Sequence, residues 1–207
     1  TGTVPLGGGD LCMEFLSPEA AAYEGYYNVI ANPLLWFLQH SMWDVSRSPV
    51  IDQATWRAWD NGYVVVNRLF AEALVRRIRA ARQPVVMLQD YHLYLTARGI
   101  RAQIRARRQV TLLHFIHIPW PGPGYWRILP GTMRQAILDS LCAVDLVGFQ
   151  TREDALNFMR GCEAYLPGVH VNYKRGRVWY RNRMTHVRDF PISIDVQKRI
   201  KAALDPL

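Results

Sequence analysis

Cysteine is scarce in this chain. Cys12, Cys142 and Cys162 make an odd count with no C-x-x-C spacing, which excludes a disulfide framework or a zinc knuckle as the organising feature. Few and unpaired thiols fit a reducing compartment, so the expected location is cytoplasmic. No apolar run is long enough to cross a bilayer, and the amino terminus lacks a basic-then-apolar signal. No membrane partner is expected. G-x-S-x-G, H-E-x-x-H and Walker patterns are absent as well, which leaves hydrolase, metalloprotease and P-loop readings without a motif. Internal repeats and low-complexity tracts are missing too.

What is present is ordinary globular composition. The chain has 207 residues, 50% apolar and 20% charged, enough for one good core in one or two domains. Its formal net charge of +8 invites a nucleic-acid reading. The arginines of residues 76–83 and 98–109 weaken it, because they sit beside helical apolar positions as solvated faces would. There is no helix-turn-helix pattern, zinc finger or RNA-binding aromatic signature, so no nucleic-acid partner is expected. A binder of phosphorylated small molecules explains the positive charge equally well.

Along the chain, residues 1–25 read as an irregular amino-terminal segment and residues 26–207 as one domain. Asp52 caps a predicted helix to Ala81, with Trp56, Trp59, Tyr63, Val66, Phe70 and Leu74 at helical spacing and a weak point at Asn61-Gly62. Residues 84–89 read as a strand buried on both faces, residues 92–108 as a helix with its basic residues outward. The order repeats: strand 109–118, helix 132–143, strand 145–150, then a helix from Arg152 to Leu166 capped by Thr151 with Asp154 as capping-box partner. Residues 169–187 read as a hairpin turning at Lys174 to Gly176, and residues 189–194 as a last short strand before a terminal helix. Alternation at this spacing predicts an α/β fold: a Rossmann-like parallel sheet with helices on both faces and a small β-hairpin addition.

In such sheets ligands bind beyond the carboxyl ends of the strands. Three predicted ends carry polar groups: Gln89-Asp90, His117 and Gln150. Each has a plain structural reading beside the functional one. Asp90 can be a helix N-cap, or a carboxylate that grips sugar hydroxyls. His117 can be a satisfied core histidine, or an imidazole held in one pose by Pro119, Pro121 and Pro123 with Gly122 and Gly124. Gln150 can be a local hydrogen-bonding residue, and Tyr27 and Trp36 can be core aromatics. His92 reads as a structural partner. Gly7-Gly8-Gly9 could cradle phosphate, but no strand is expected before it, so a flexible terminus is the better reading.

Taken together, the segments resemble the trehalose-6-phosphate synthase family of retaining glycosyltransferases, glycosyltransferase family 20. The segments are YYN…N…LW…H (Tyr27 to His40), W-x-A-W…GY-x-x-VN-x-x-FA (Trp56 to Ala71), DYHL (Asp90 to Leu93) and HIPWP (His117 to Pro121). YWRILP…R…IL (Tyr125 to Leu138), DLVGFQT (Asp145 to Thr151) and FPISID (Phe190 to Asp195) complete the series in the family's order. The resemblance implies the amino-terminal, acceptor-side half of a two-domain GT-B enzyme, with the active site between Rossmann-like halves. It implies glucose 6-phosphate as acceptor and UDP-, GDP- or ADP-glucose as donor, with no cofactor and no metal, and it leaves room for a homo-oligomer. By position, Tyr27 and Trp36 match aromatics at the acceptor's phosphate end, and Asp90 the carboxylate on its hydroxyls. His117 matches the catalytic histidine beside the transferred sugar; Ile118 and Gln150 line the pocket. The family's reaction retains configuration by front-face attack, which depends on positioning and charge stabilisation and not on a protein nucleophile.

The departures from the family pattern are specific. The family's first strand, its acceptor-binding arginine and Gly-Gly loop have no counterpart, and neither does the carboxy-terminal half that grips the nucleotide. The chain alone is therefore expected to be inactive. Gln89 stands where the family's HDYHL form has histidine. HIPWP followed by YWRILP resembles the pseudo-glycosyltransferase branch, whereas DYHL and GFQT resemble the sugar-transferring one. An acceptor such as glycerol 3-phosphate, or a non-catalytic sugar-phosphate-binding domain, also fits the residues.

Overall fold

A computed structural model describes residues 3–6, 11–43, 49–104 and 109–193. Strands β1 (Thr3–Leu6) and β2 (Leu11–Glu14) pair antiparallel, so the amino-terminal segment is not irregular throughout. A strand does precede Gly7-Gly8-Gly9, which themselves lie outside the described residues. Helix α1 (Ala20–Tyr23) then runs without a break into a π-helix over Glu24–Trp36 and into α2 (Phe37–Gln39).

The predicted long helix is α3 (Gln53–Ala58), a π-turn over Trp59–Tyr63, and α4 (Val64–Ala80). Asp52 caps it as expected, its Oδ1 accepting from the Thr55 N–H at 2.9 Å. The weak point at Gly62 does not break the helix. It widens into a π-turn because the two π-segments cross there: a Cβ on Gly62 would lie 2.6 Å from the backbone N of Tyr26 and 2.7 Å from the carbonyl carbon of Gly25. Only glycine permits this approach.

Five further helical segments alternate with six strands. The strands are β3 (Val85–Gln89), β4 (Thr111–Ile116), β5 (Leu146–Phe149), β6 (His170–Asn172), β7 (Arg177–Tyr180) and β8 (Arg183–Asp189). The helical segments are a 3-10 turn at Tyr91–Leu93, α5 (Thr96–Gln103), α6 (Pro123–Trp126), α7 (Gly131–Leu141) and α8 (Arg152–Tyr165). The sheet order is β3-β4-β5-β8-β7-β6. The first four strands are parallel, and β7 and β6 extend the sheet antiparallel. The predicted hairpin is thus three strands. Its tight turn at Arg181-Asn182 has both φ angles positive (47° and 61°), which suits the twist of the flanking strands. The strand beside β5 is the returning arm β8, not a strand over residues 189–194: Asp189 ends β8, Phe190 to Ser193 carry no strand, and the expected terminal helix lies outside the described residues.

Among the described residues one face of the sheet is covered and part of the other is exposed. Val86, Leu88, Leu112, His114, Ile116, Val147 and Phe149 form the buried face, packed with Tyr94, Trp120, Trp126 and Phe158. On the opposite face Val85 is 62% and Met87 65% exposed, and an apolar hollow of about 310 Å³ lies between Met87, Leu113, Phe115 and Phe190. The apolar run of β3 reads as doubly buried in sequence, yet its burial alternates.

Nor do all basic residues of the α5 segment face outward. Arg101 donates to Asp145 Oδ2 at 2.8 Å, to the Ala143 carbonyl and to the Val110 carbonyl. Arg183 takes the other oxygen of Asp145 at 3.0 Å, and the Leu112 N–H also donates to Asp145 at 2.8 Å. This bracket ties α5, β4, β5 and β8 together at the amino end of the sheet and leaves the carboxyl end free.

Candidate functional site

The register sets the site. Gln89 lies opposite Phe115, Ile116 opposite Phe149, and Phe149 opposite Asp189. Asp90, His117 and Gln150 therefore leave three adjoining strands at one rim.

Asp90 is the strained member. Its φ of 61° with ψ of −176° is a backbone that only glycine adopts freely, and it costs about 1–3 kcal/mol. Four hydrogen bonds hold it. The Asp90 N–H donates to the Phe115 carbonyl at 2.8 Å. The Asp90 carbonyl accepts from His114 Nε2 at 2.9 Å and from the Leu93 N–H at 3.3 Å. The carboxylate accepts from the His117 N–H at 3.4 Å. It makes no cap bond to the following turn, so the capping reading fails and the side chain points toward the next strand's end.

His117 is exposed, and its ring meets Phe115 edge-on at 4.7 Å. Its Nε2 lies 2.7 Å from Gln89 Oε1. Because that oxygen only accepts, the ring proton belongs on Nε2, which leaves Nδ1 as an acceptor. Ile118 is half-buried against the core. The loop beyond is pinned by Trp120, which is buried between Tyr94, Trp126, Phe149 and Phe158. The Trp120 N–H donates to Asp154 Oδ1 at 2.7 Å, so the expected capping-box residue of α8 also anchors this loop; the Thr151 hydroxyl still caps the helix, accepting from the Asp154 N–H at 3.1 Å. Gln150 is half-buried, and among the described residues its buried Oε1 has no hydrogen-bond partner.

The π-helix determines where the aromatics face. Tyr27 and Trp36 are nine residues apart. At 3.6 residues per turn they would point to opposite sides; the i→i+5 pattern, about 4.4 residues per turn, brings them to one side. Both are exposed, while Tyr26, Ile30, Ala31, Leu34 and Leu35 on the same segment are buried. Tyr27 stacks on His92 at 5.6 Å, and His92 on Tyr91 at 4.0 Å, which places Tyr27 beside the Asp90 turn. Trp36 packs on His40 at 4.1 Å; no described contact joins it to Asp90 or His117.

The supporting shell was not legible as such. Asn67, buried on α4, donates to the carbonyls of Tyr63 and His92, both at 3.0 Å, and accepts from the Leu95 N–H and the Thr96 hydroxyl. It holds the turn after β3. The Tyr63 hydroxyl donates to the Tyr91 carbonyl, and the Tyr91 hydroxyl to Asn32 at 2.8 Å. Burial, with the Asp90 charge adding to it, pushes the Tyr91 phenol up to about 12, and burial raises Tyr63 and Tyr94 above the usual phenol range. Burial lowers His92 and lowers His114 to about 4 against the opposing pull of the Asp90 carbonyl. The phenols and the buried His114 around Asp90 are thus uncharged at neutral pH.

Chemically, the rim offers a carboxylate and an imidazole acceptor, with an aromatic platform alongside; the Gln150 amide oxygen is buried at the neighbouring strand end. Hydroxyl-rich ligands suit such acceptors. Among the described residues no group of three or more His, Cys, Asp or Glu is placed to hold a metal ion, and no helix is long and apolar enough to cross a membrane.

The model of glycosyltransferase family 20 matches residues 11–206. A trehalose-6-phosphate synthase of Mycobacterium ulcerans is 38% identical over 82% of the chain and 32% of its own length. A bifunctional trehalose-6-phosphate synthase/phosphatase of Thermoproteus tenax is 34% identical over 88% of the chain and 23% of its own length. A validamine 7-phosphate valienyltransferase of Streptomyces hygroscopicus subsp. jinggangensis is 26% identical over 89% and 36% respectively. Among solved structures, a trehalose-6-phosphate protein from E. coli bound with UDP-2-fluoro glucose superposes with a TM-score of 0.77 at 26% identity, covering 100% of this chain and 42% of that one. The chain spans about a third or less of these curated relatives' length.

Proposed function

The chain belongs to glycosyltransferase family 20, and from that premise we propose that it forms the acceptor-side part of an enzyme that transfers glucose from a nucleotide-glucose to glucose 6-phosphate with retention. The observation that carries this reading is the rim: Asp90, His117 and Gln150 at three adjoining strand ends, with strain stored at Asp90.

In this reading Asp90 accepts hydrogen bonds from acceptor hydroxyls, and its fixed position orients the attacking oxygen. Tyr27 and Trp36 meet the phosphate end of the acceptor. His117, its Nε2–H held by Gln89, uses Nδ1 to accept from a hydroxyl of the donor sugar and steadies the developing positive charge as a neutral ring. The acceptor hydroxyl attacks on the face from which the nucleoside diphosphate leaves, and its proton goes to the leaving oxygen. Ile118 and Gln150 shape the wall. The diphosphate is gripped by a carboxy-terminal half that this chain does not include.

A second reading has its own support. The valienyltransferase relative covers 89% of the chain, and HIPWP followed by YWRILP resembles the pseudo-glycosyltransferase branch. Coupling through an acceptor nitrogen would use the same rim. The full-length protein incubated with UDP-, GDP- or ADP-glucose and glucose 6-phosphate, with products read by NMR and mass spectrometry, separates the two. A disaccharide phosphate supports the first reading. No such product, with turnover appearing on an aminocyclitol acceptor, replaces it by the second.

A further inference from the structure

A separate hollow of about 540 Å³ opens between the amino-terminal half of α8 and the β6–β7 turn. Arg152, Lys174, Arg175, Arg177 and Arg188 line it, with Asp189 as the one carboxylate. Leu156 and Met159 supply apolar wall. Among the described residues none of the five cations is in an ion pair; the arginines that are paired lie elsewhere.

The turn that carries the charges is built. Gly176 has φ of 56°, and a Cβ there would lie 2.5 Å from Arg188 Nη1 and 2.6 Å from the Val187 carbonyl oxygen. Arg188 Nη1 donates to the carbonyls of Arg175, Gly176 and Val187 at 3.0, 2.9 and 2.7 Å. The Arg175 N–H donates to Asn172 Oδ1 at 2.9 Å. Among the described residues the buried Arg177 Nε has no hydrogen-bond partner, a donor withdrawn from water without compensation. His186 registers the field: burial first, then the Arg188 and Arg177 charges, hold its pKa below the usual imidazole range.

Like charges around a concave wall repel one another and focus a positive potential into the space between them. Guanidinium forks match phosphate oxygens two at a time. The volume lies in the range of small-ligand sites. We infer that this hollow binds a small phosphorylated anion carrying two or more negative charges, of the diphosphate or sugar-phosphate class, separately from the carboxyl rim. Arg152 begins α8 two residues after Gln150, which connects the hollow to the rim strand β5. The inference stands whether or not the proposed glucose transfer is right.

The test is isothermal titration of the full-length protein with inorganic pyrophosphate at low ionic strength. The double variant Lys174→Gln/Arg175→Gln and the single variants Arg152→Gln and His117→Ala are run beside it. Lys174, Arg175 and Arg152 are exposed, and Arg152→Gln probes the opposite wall should the turn variant fail to fold. The expected result is one saturable equivalent that depends on the hollow, beside any equivalent held by the nucleotide-binding half; the hollow's equivalent is bound at least tenfold more weakly by the double variant, several-fold more weakly by Arg152→Gln, and unchanged in His117→Ala. No saturable binding in the wild type at millimolar pyrophosphate overturns the inference. So do a stoichiometry and affinity that are the same in both wall variants as in the wild type, or an equivalent that is lost only in His117→Ala.

Discussion

His117 Nε2 stands 2.7 Å from Gln89 Oε1, so a residue at the end of one strand sets the proton position of the imidazole at the end of the next. The two lie 28 residues apart in sequence. Neither position alone shows that one orients the other.

Gln89→Leu removes that acceptor and frees the ring to change tautomer and rotate. The full-length enzyme is expected to lose about tenfold in kcat, with KM for the acceptor little changed, since positioned hydrogen bonds act on the reacting geometry. Gln89→His is expected to keep most of the activity. Steady-state kinetics checks both; a KM effect without a kcat effect counts against orientation.

Asp90→Gly should separate strain from function. Glycine relaxes the φ of 61°, so the variant is expected to gain roughly 1 kcal/mol, a rise of a few degrees in Tm. It is also expected to bind glucose 6-phosphate at least tenfold more weakly. A thermal melt and an acceptor titration on one sample read the two effects.

His114 makes stability depend on pH. Its pKa is lowered from 6.5 to about 4 in the fold, so between these values the unfolded chain takes up a proton that the folded chain refuses. Stability is fully present above about pH 6.5 and falls as pH drops toward 4, by up to about 3 kcal/mol from this group. His114→Gln keeps a donor for the Asp90 carbonyl without titrating. Urea unfolding at pH 7 and pH 4.5 should therefore show a smaller acid loss in the variant than in the wild type.

Gly62→Ala places a methyl against the backbone of Gly25 and Tyr26. The crossing of the two π-segments must open, at a cost of about 1–3 kcal/mol, and Tyr27 moves with it. Chemical denaturation checks the loss; an unchanged midpoint would mean that the crossing is looser than the structure has it.

Much of the fold was readable because parallel strands and capped helices leave local marks: Asp52 and Thr151 cap where expected, and β3, β4 and β5 fall inside their predicted spans. Other features carry no local mark. Val85 and Met87 are apolar but exposed among the described residues, which composition cannot reveal. A period of 3.6 hides a π-helix, and with it the shared side of Tyr27 and Trp36. Asp90, His117 and Gln150 could be picked out by their strand ends. Asn67, Gln89 and the Arg101–Asp145 bracket could not, because these partners lie 25 to 44 residues away in sequence and meet only in the folded chain.

The most direct test is a crystal structure of the full-length protein with glucose 6-phosphate. A hexose hydroxyl within hydrogen-bonding distance of the Asp90 carboxylate, with the ring beside His117 and Gln150 and the phosphate toward Tyr27 and Trp36, is the result expected. A hexose bound elsewhere while the rim holds only solvent would contradict the account.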